Sequence, residues 1–501
     1  IMVNNLPAGE WEMNRETQPN FLIVMSDEHG PMWSSAYGHP FVQTPNMDRL
    51  ASSGTTFDSA YCNAPLCVPS RLSFMTGNYV SNCEGWDNAT PLPSDSLTWP
   101  YALRSVGYDC ALSGKMHLIG PDKLHGFNQQ LSLDPHGDPT DDNPGSELVG
   151  LSSGGMHPIY LWDDGVPTTS QPWDSVKEAG PGRTPMIDAD DLIEKKALNY
   201  LSSPERKYGP WALCVGFVAP HFPFIVPDQY FSMYYPEHAD LPENPPGHLG
   251  NLPESARRNR RAFNFDGYTD DEIRRARAAY YGLVTYMDNK IGRLIDTLKD
   301  QNLLDNTVII YTSDHGESLG EHGLWRKMNF YEQSVRVPLQ ISWPKVLPKN
   351  KRYSGAVSLV DVTATIMDLA RVPDEIVSLM KLDGKTLLHP LNGDDWAEHD
   401  FAFSEHLAHG TDRPAAMIRQ GDYKLCYSYA AEPELELYNL KSDPGEYNDL
   451  SQNSSFKTVV SALTASLLAI WNHPNEMDSK IRESQQARLL IRKVLGDKAI
   501  F

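Results

Sequence analysis

Six short segments, scattered along the chain, carry residues that could do chemistry together. Cys67-Val68-Pro69-Ser70-Arg71 sets a thiol and a guanidinium where Pro69 marks the first turn of a helix, so backbone N–H groups there would face an anion. Asp27 and Glu28 form a carboxylate pair early in the chain, and Asp314 with His315 supplies a second carboxylate and an imidazole far downstream. Lys115 with His117, then His221, then Lys327 add cations and proton carriers. Carboxylates from two segments suit a hard divalent cation, and the Lys, Arg and His residues around them would hold a tetrahedral oxyanion ester and move its protons. Any one of these residues alone is ordinary; their meaning depends on convergence.

The elements that would bring them together are legible as short apolar runs. Phe21–Met25, Tyr108–Ser113, Trp211–Val218 and Thr307–Thr312 read as strands buried on both faces of a parallel sheet, and each stops just before a reactive set. In open parallel sheets ligands bind at the carboxyl ends of strands, which predicts one shared site. Between the runs the pattern predicts helices. One covers Thr44–Ala51 with Thr44 as its cap, one runs from Pro69 through Leu72, Phe74 and Met75, and others cover 98–107, Ile187–Ser202 and 358–371. Residues 270–300 form an amphipathic helix with Ala276, Tyr280, Leu283, Met287, Ile291 and Leu294 at helical spacing.

This layout divides the chain into a loose arm over 1–18, a catalytic domain over 19–384, and a C-terminal subdomain over 385–501. The subdomain begins with turn-punctuated runs such as Ala416–Arg419 and Tyr423–Tyr427, read as an antiparallel sheet, and closes with a helical tail over 456–496 able to pack on a second copy in a homo-oligomer. A segment near 130–185, rich in Asp, Pro, Gly and Ser but holding Tyr160, Trp162 and Trp173, reads as a substrate-shaping insertion.

Composition narrows the function classes. With 501 residues, 40% hydrophobic and 22% charged, the chain is long enough for a large α/β domain with an appendage. A net charge of −22 argues against nucleic acid as a partner, and no apolar run of membrane-spanning length occurs. Arg257, Arg258, Arg260, Arg261, Arg274, Arg275 and Arg277 form the one basic concentration, expected to be a solvated face. The six cysteines form neither a disulfide framework nor a Cys-x-x-Cys metal pair. The first residues lack the pattern of a secretory signal, which predicts a cytoplasmic protein if that start is native and a periplasmic or secreted one if a signal was removed.

Cys67-Val68-Pro69-Ser70-Arg71 resembles the formylglycine signature of type I sulfatases. Gly114-Lys115-Met116-His117, Pro220-His221-Phe222-Pro223-Phe224, Ser313-Asp314-His315-Gly316-Glu317 and Gly320-Glu321-His322-Gly323 are similar to that family's later motifs, in the same order. Within the family, the stretches Tyr61–Cys67, Asp87–Ala89, Ala111–Phe127 and Leu324–Phe330 look like the choline sulfatase branch. The resemblance implies the α/β fold of the alkaline phosphatase superfamily: a mixed, mostly parallel central sheet flanked by helices, with a smaller C-terminal α+β domain containing an antiparallel sheet. It implies hydrolysis of a sulfate ester, either choline-O-sulfate-like or a sulfated sugar, with a phosphonate monoester or phosphodiester hydrolase, or an arylsulfatase of broad specificity, as the alternative.

The resemblance also implies that Cys67 is oxidised to formylglycine by a maturing enzyme. One divalent metal, calcium or alternatively manganese, would sit on Asp27, Glu28, Asp314, His315 and the residue derived from Cys67. Arg71 would hold the hydrated aldehyde, Lys115 and Lys327 the sulfate oxygens. His221 with Lys327 would protonate the leaving oxygen, and His117 would take a proton from the second hydroxyl. Asn88, Trp162 and Glu405 are the expected substrate contacts, with Trp86 beside them in an aromatic and acidic cage suited to a quaternary ammonium.

Overall fold

The computed structural model describes residues 18–135, 174–394, 396, 400–411, 413–471 and 474–495. The arm, most of the expected insertion and Trp162 therefore lie outside the described residues. A nine-stranded sheet forms the centre. From one edge its strands run Lys351–Ser358, Thr55–Tyr61, Leu339–Ser342, Thr307–Ser313, Asn20–Asp27, Trp211–Pro220, Asp109–Gly114 and Gln129–Ser132, with Arg336–Val337 paired to Thr55–Tyr61. Neighbours are parallel except where Leu339–Ser342 and Arg336–Val337 join. All four apolar runs are thus strands of one sheet, and they point the same way.

Continuous apolar runs make central strands because each face needs its own cover. Phe21, Ile23 and Met25 enter one core with Val68, Leu72, Phe74 and Met75 of helix Cys67–Thr76, while Leu22 and Val24 enter another with Met287, Ile291 and Leu294 of helix Asp270–Asp300. The two cores sandwich the sheet. Helix Asp270–Asp300 opens with a reciprocal capping box between Thr269 and Glu272, and all six of its expected apolar positions are buried.

A second sheet, Phe401–His406, Ala415–Gln420, Tyr423–Ser428 and Glu434–Asn439, is a four-stranded antiparallel meander. It abuts two tail helices, Lys457–Ile470 and Pro474–Leu495, through Leu463, Leu467, Trp471 and Ile481. The tail helices pack on their own chain. Among the described residues no single helix is long and apolar enough to cross a membrane.

Two local expectations change. Thr44 precedes helix Pro45–Ser53 but gives it no side-chain cap; the Asp288 carboxylate of helix Asp270–Asp300 accepts the N–H groups of Asn46 and Met47 instead. A buried acid on another element has taken over the cap, tying two helices together. Arg277 leaves the solvated face predicted for it. It is 2% exposed and pairs with Asp240 and Glu321, because the inner side of that helix faces the core and a charge there needs partners.

Candidate active site

Four of the parallel strands end at one place, and their next residues form a buried polar group. Asp27 closes Asn20–Asp27, Asp314 and His315 follow Thr307–Ser313, Lys115 follows Asp109–Gly114, and His221 follows Trp211–Pro220. Lys115 passes close to the neighbouring strand because Gly216 has no side chain; a Cβ there would lie 1.8 Å from the Lys115 carbonyl oxygen. Cys67 starts helix Cys67–Thr76 above these ends. Its N-cap, Leu66, offers no side-chain acceptor, and the Asn88 side-chain oxygen fills that place by accepting the Val68 N–H at 3.0 Å.

The two aspartates divide their oxygens. Arg71 donates from Nε to Asp314 Oδ2 at 2.8 Å and from an Nη to Asp27 Oδ2 at 3.1 Å, and Lys115 also pairs with Asp27 Oδ2. The other oxygen of each, Oδ1, lies 3.7 Å from His315 Nε2. Cys67 Sγ stands 3.2 Å from the same Nε2 and 3.9 Å from Asp27 Oδ1. His315 Nδ1 meets the Gly316 carbonyl at 3.1 Å, which calls for a proton on Nδ1 and leaves the Nε2 lone pair facing the group.

One atom each from Asp27, Cys67, Asp314 and His315 falls within 4.8 Å of all the others, and all four residues are buried. Two carboxylate oxygens and an imidazole lone pair in a dry enclosure fit a divalent cation. Burial by itself would raise the Asp27 carboxyl, but Lys115, His221 and Arg71 outweigh it and hold the group well below the usual range. Asp27 is therefore ionised and ready to ligate. Burial pushes the Cys67 thiol up to about 12, with the Asp27 charge adding to it. An unmodified Cys67 is neutral at physiological pH and a poor nucleophile.

A second group lies beside the first. Glu28 adopts a positive φ of 66° right after its strand, and its Oε2 sits 3.2 Å from Lys327 Nζ and 3.3 Å from His221 Nε2. Glu28 thus joins Asp27 and His221 instead of the four-residue donor set. Burial raises its carboxyl to about 8, partly offset by Lys327. Lys327 Nζ lies 2.9 Å from His221 Nε2, and His221 Nδ1 is 2.6 Å from the Phe222 carbonyl. With Nδ1 donating to a carbonyl, Nε2 accepts from the lysine, so the two share a proton.

The structure gives several expected contacts different partners. Arg71, expected to hold the reacting group, spends its donors on Asp27, Asp314 and the Lys115 carbonyl, tying three strand ends together. Asn88 caps the Cys67 helix with the oxygen that was expected to meet substrate. Glu405 is fully buried and accepts from the Ser81 N–H and hydroxyl at 3.1 Å each. An inward carboxylate already bonded to a helix start is a poor wall for a substrate cage.

Sequence reading also missed residues that act from outside the motifs. Asp134 accepts the Met116 and His117 N–H groups and fixes the turn that carries Lys115 and His117. Lys424, on the small sheet, is buried against Glu332, Glu446 and the Phe330 carbonyl, anchoring the segment that carries Lys327. Neither has a local signal; only the long-range contact marks them.

Fold and site together define an α/β hydrolase of alkaline-phosphatase-like architecture with a buried place for a divalent cation. The sulfatase family pattern matches residues 19–372, and the chain belongs to that family. A pattern for the C-terminal region of N-sulphoglucosamine sulphohydrolase matches residues 320–473. The chain is 34% identical to a choline-sulfatase of Rhizobium meliloti, over 97% of this chain and 93% of that protein. It is 27% identical to an N-acetylglucosamine-6-O-sulfatase of Bacteroides thetaiotaomicron, over 86% of this chain and 82% of that one. Among solved structures, the phosphonate monoester hydrolase of Agrobacterium radiobacter superposes with a TM-score of 0.72 at 25% identity, covering 90% of this chain and 95% of the other. The protein is a sulfuric ester hydrolase.

Proposed function

We propose that the chain cleaves a sulfate monoester of choline or of a sugar, with a formylglycine made from Cys67 as the attacking residue. The observation that carries this reading is the convergence of Asp27 Oδ1, Asp314 Oδ1 and His315 Nε2 on Cys67 Sγ. A thiol is a poor match for a hard cation and, with its proton held by burial, a poor nucleophile; an oxygen in its place suits both tasks. Hydrated, the aldehyde would offer one hydroxyl to take the sulfuryl group and a second whose deprotonation releases sulfate as the carbonyl re-forms. A divalent cation, calcium or manganese, would be held by Asp27, Asp314 and His315 and would stabilise negative charge on the attacking oxygen and the sulfate.

The chain's own residues then have distinct tasks. Arg71 keeps both aspartates aligned, and Lys115 balances Asp27 while facing the anion site. The Lys327–His221 pair delivers a proton to the departing alcohol oxygen, with Glu28 holding the lysine in place. His117, placed by Asp134, receives the proton from the second hydroxyl. Expression with a formylglycine-generating enzyme, followed by assay on choline-O-sulfate, sulfated monosaccharides and an aryl sulfate, tests the reading. No turnover of any sulfate ester by protein shown to carry the aldehyde would defeat it.

A phosphonate monoester hydrolase is the second reading, favoured by the superposition on such an enzyme. The same donors accept either tetrahedral anion, so relative kcat/KM on matched sulfate and phosphonate esters separates the two.

A further inference from the structure

Arg326 is a buried cation that makes no direct ion pair among the described residues, although the Glu28 and Glu317 carboxylates act on it through space. The residue is 8% exposed and its Nε has no hydrogen-bond partner. Its contacts are two aromatic faces: the guanidinium carbon stands 4.5 Å from the Phe222 ring centre and 5.8 Å from that of Phe263. Cation–π contact offsets part of the cost of burying charge, but a guanidinium carries five N–H donors that rings do not satisfy. The other buried arginines among the described residues are handled differently. Arg71, Arg277 and Arg488 each meet carboxylates.

Its position relates this unpaired cation to the site. The Phe222 ring that Arg326 covers is stacked on His221 with centres 4.0 Å apart, and Lys327 Nζ lies 5.1 Å from the same ring. One phenyl ring therefore touches the proposed proton donors and Arg326 together. The backbone aims these side chains by force: Arg326 and Met328 have φ of 68° and 72° on either side of Lys327, a left-handed conformation that costs energy in residues with a Cβ. Glu317 holds that conformation by accepting the Arg326 backbone N–H at 2.6 Å with one oxygen, without a hydrogen bond to the guanidinium itself.

We propose that Arg326 binds an anionic group, a carboxylate or a second sulfate, on the alcohol part of the substrate. This rests on the sulfatase reading and narrows it to an acidic or multiply sulfated sugar, because a quaternary ammonium beside an unpaired guanidinium would be repelled. Planar donor geometry matches carboxylate and sulfate oxygens in pairs, which a lysine would not reproduce.

The test compares kcat/KM for three sulfated monosaccharides of one ring type, one otherwise neutral, one with a carboxylate and one with a second sulfate. The wild-type enzyme should favour one or both anionic esters over the neutral one by about ten- to a hundredfold, mainly through KM. In Arg326→Met, whose stem still fills the space between Phe222 and Phe263, that ratio should fall toward one. The arm that shows the preference identifies the anion. An unchanged ratio in Arg326→Met, or no preference in the wild type, overturns the assignment. If Arg326→Met does not fold, wild-type inhibition by the free acidic sugar against the free neutral sugar decides, with equal inhibition counting against it. Failure on every sulfate ester would strike the sulfatase reading instead, and is distinct from turnover without preference.

Discussion

Asn88 Oδ1 accepts the backbone N–H of Val68 at 3.0 Å, so a residue of a distant loop caps the helix that begins with Cys67. The loop is held in turn: Asp87 accepts from Ala89 and Thr90, and Arg488 of the tail helix reaches Asp87 and Thr90 in a buried contact. Removing the cap with Asn88→Ala should cost about 1 kcal/mol of stability in denaturant titrations and lower kcat more than KM. Asn88→Asp, which keeps the acceptor, should restore most of both. Loss of substrate affinity alone, at unchanged stability, would return Asn88 to substrate binding.

Cys67→Ala should abolish turnover with the fold intact by circular dichroism. Mass spectrometry of the peptide holding Cys67 should show thiol converted to aldehyde in active preparations only. Protein retaining the thiol should be inactive near neutral pH, since burial pushes that thiol up to about 12.

Arg71→Met should leave Asp27 and Asp314 facing each other with one cation fewer between them. Breaking a fully buried pair of this kind costs about 3–5 kcal/mol, and cation affinity should fall about ten- to a hundredfold as the ligands lose alignment. Thermal unfolding with and without calcium, together with a calcium titration, measures both.

Glu405 provides a pH test away from the reacting residues. Burial raises its carboxyl from 4.5 to about 7, so between those values the folded chain binds a proton that the unfolded chain has released. Stability from this group is therefore lost as pH rises through that window. Glu405→Gln, still able to accept from Ser81, should be more stable than the wild type above pH 7 by about 3 kcal/mol, with the gap closing near pH 4.5. A gap that stays constant with pH would show that Glu405 is ionised in the folded protein.

Much of the architecture could be read before folding. Runs such as Phe21–Met25 and Trp211–Val218 are apolar on every residue, and only a strand covered on both sides needs that. Reactive residues placed right after such runs converge, since parallel strands share one carboxyl edge. Capping was less legible: Thr44 has the residue type of a cap, but the acceptor comes from Asp288. A local preference worth about 1 kcal/mol yields readily to a tertiary contact.

The residue types and their order along the chain thus determined the family, the strands and the set of reacting groups. Tertiary structure decided how they divide. Oδ2 of both aspartates is taken by Arg71, and Oδ1 of each faces His315, that of Asp314 also accepting the Glu28 and His315 N–H groups. Glu28 turns to Lys327 and His221, Asn88 to the Cys67 helix, and Glu405 inward to Ser81. The physical reason is range: a strand or helix is set by neighbours within a few residues, whereas the partner of a buried polar atom is whichever group the completed fold brings within hydrogen-bond distance.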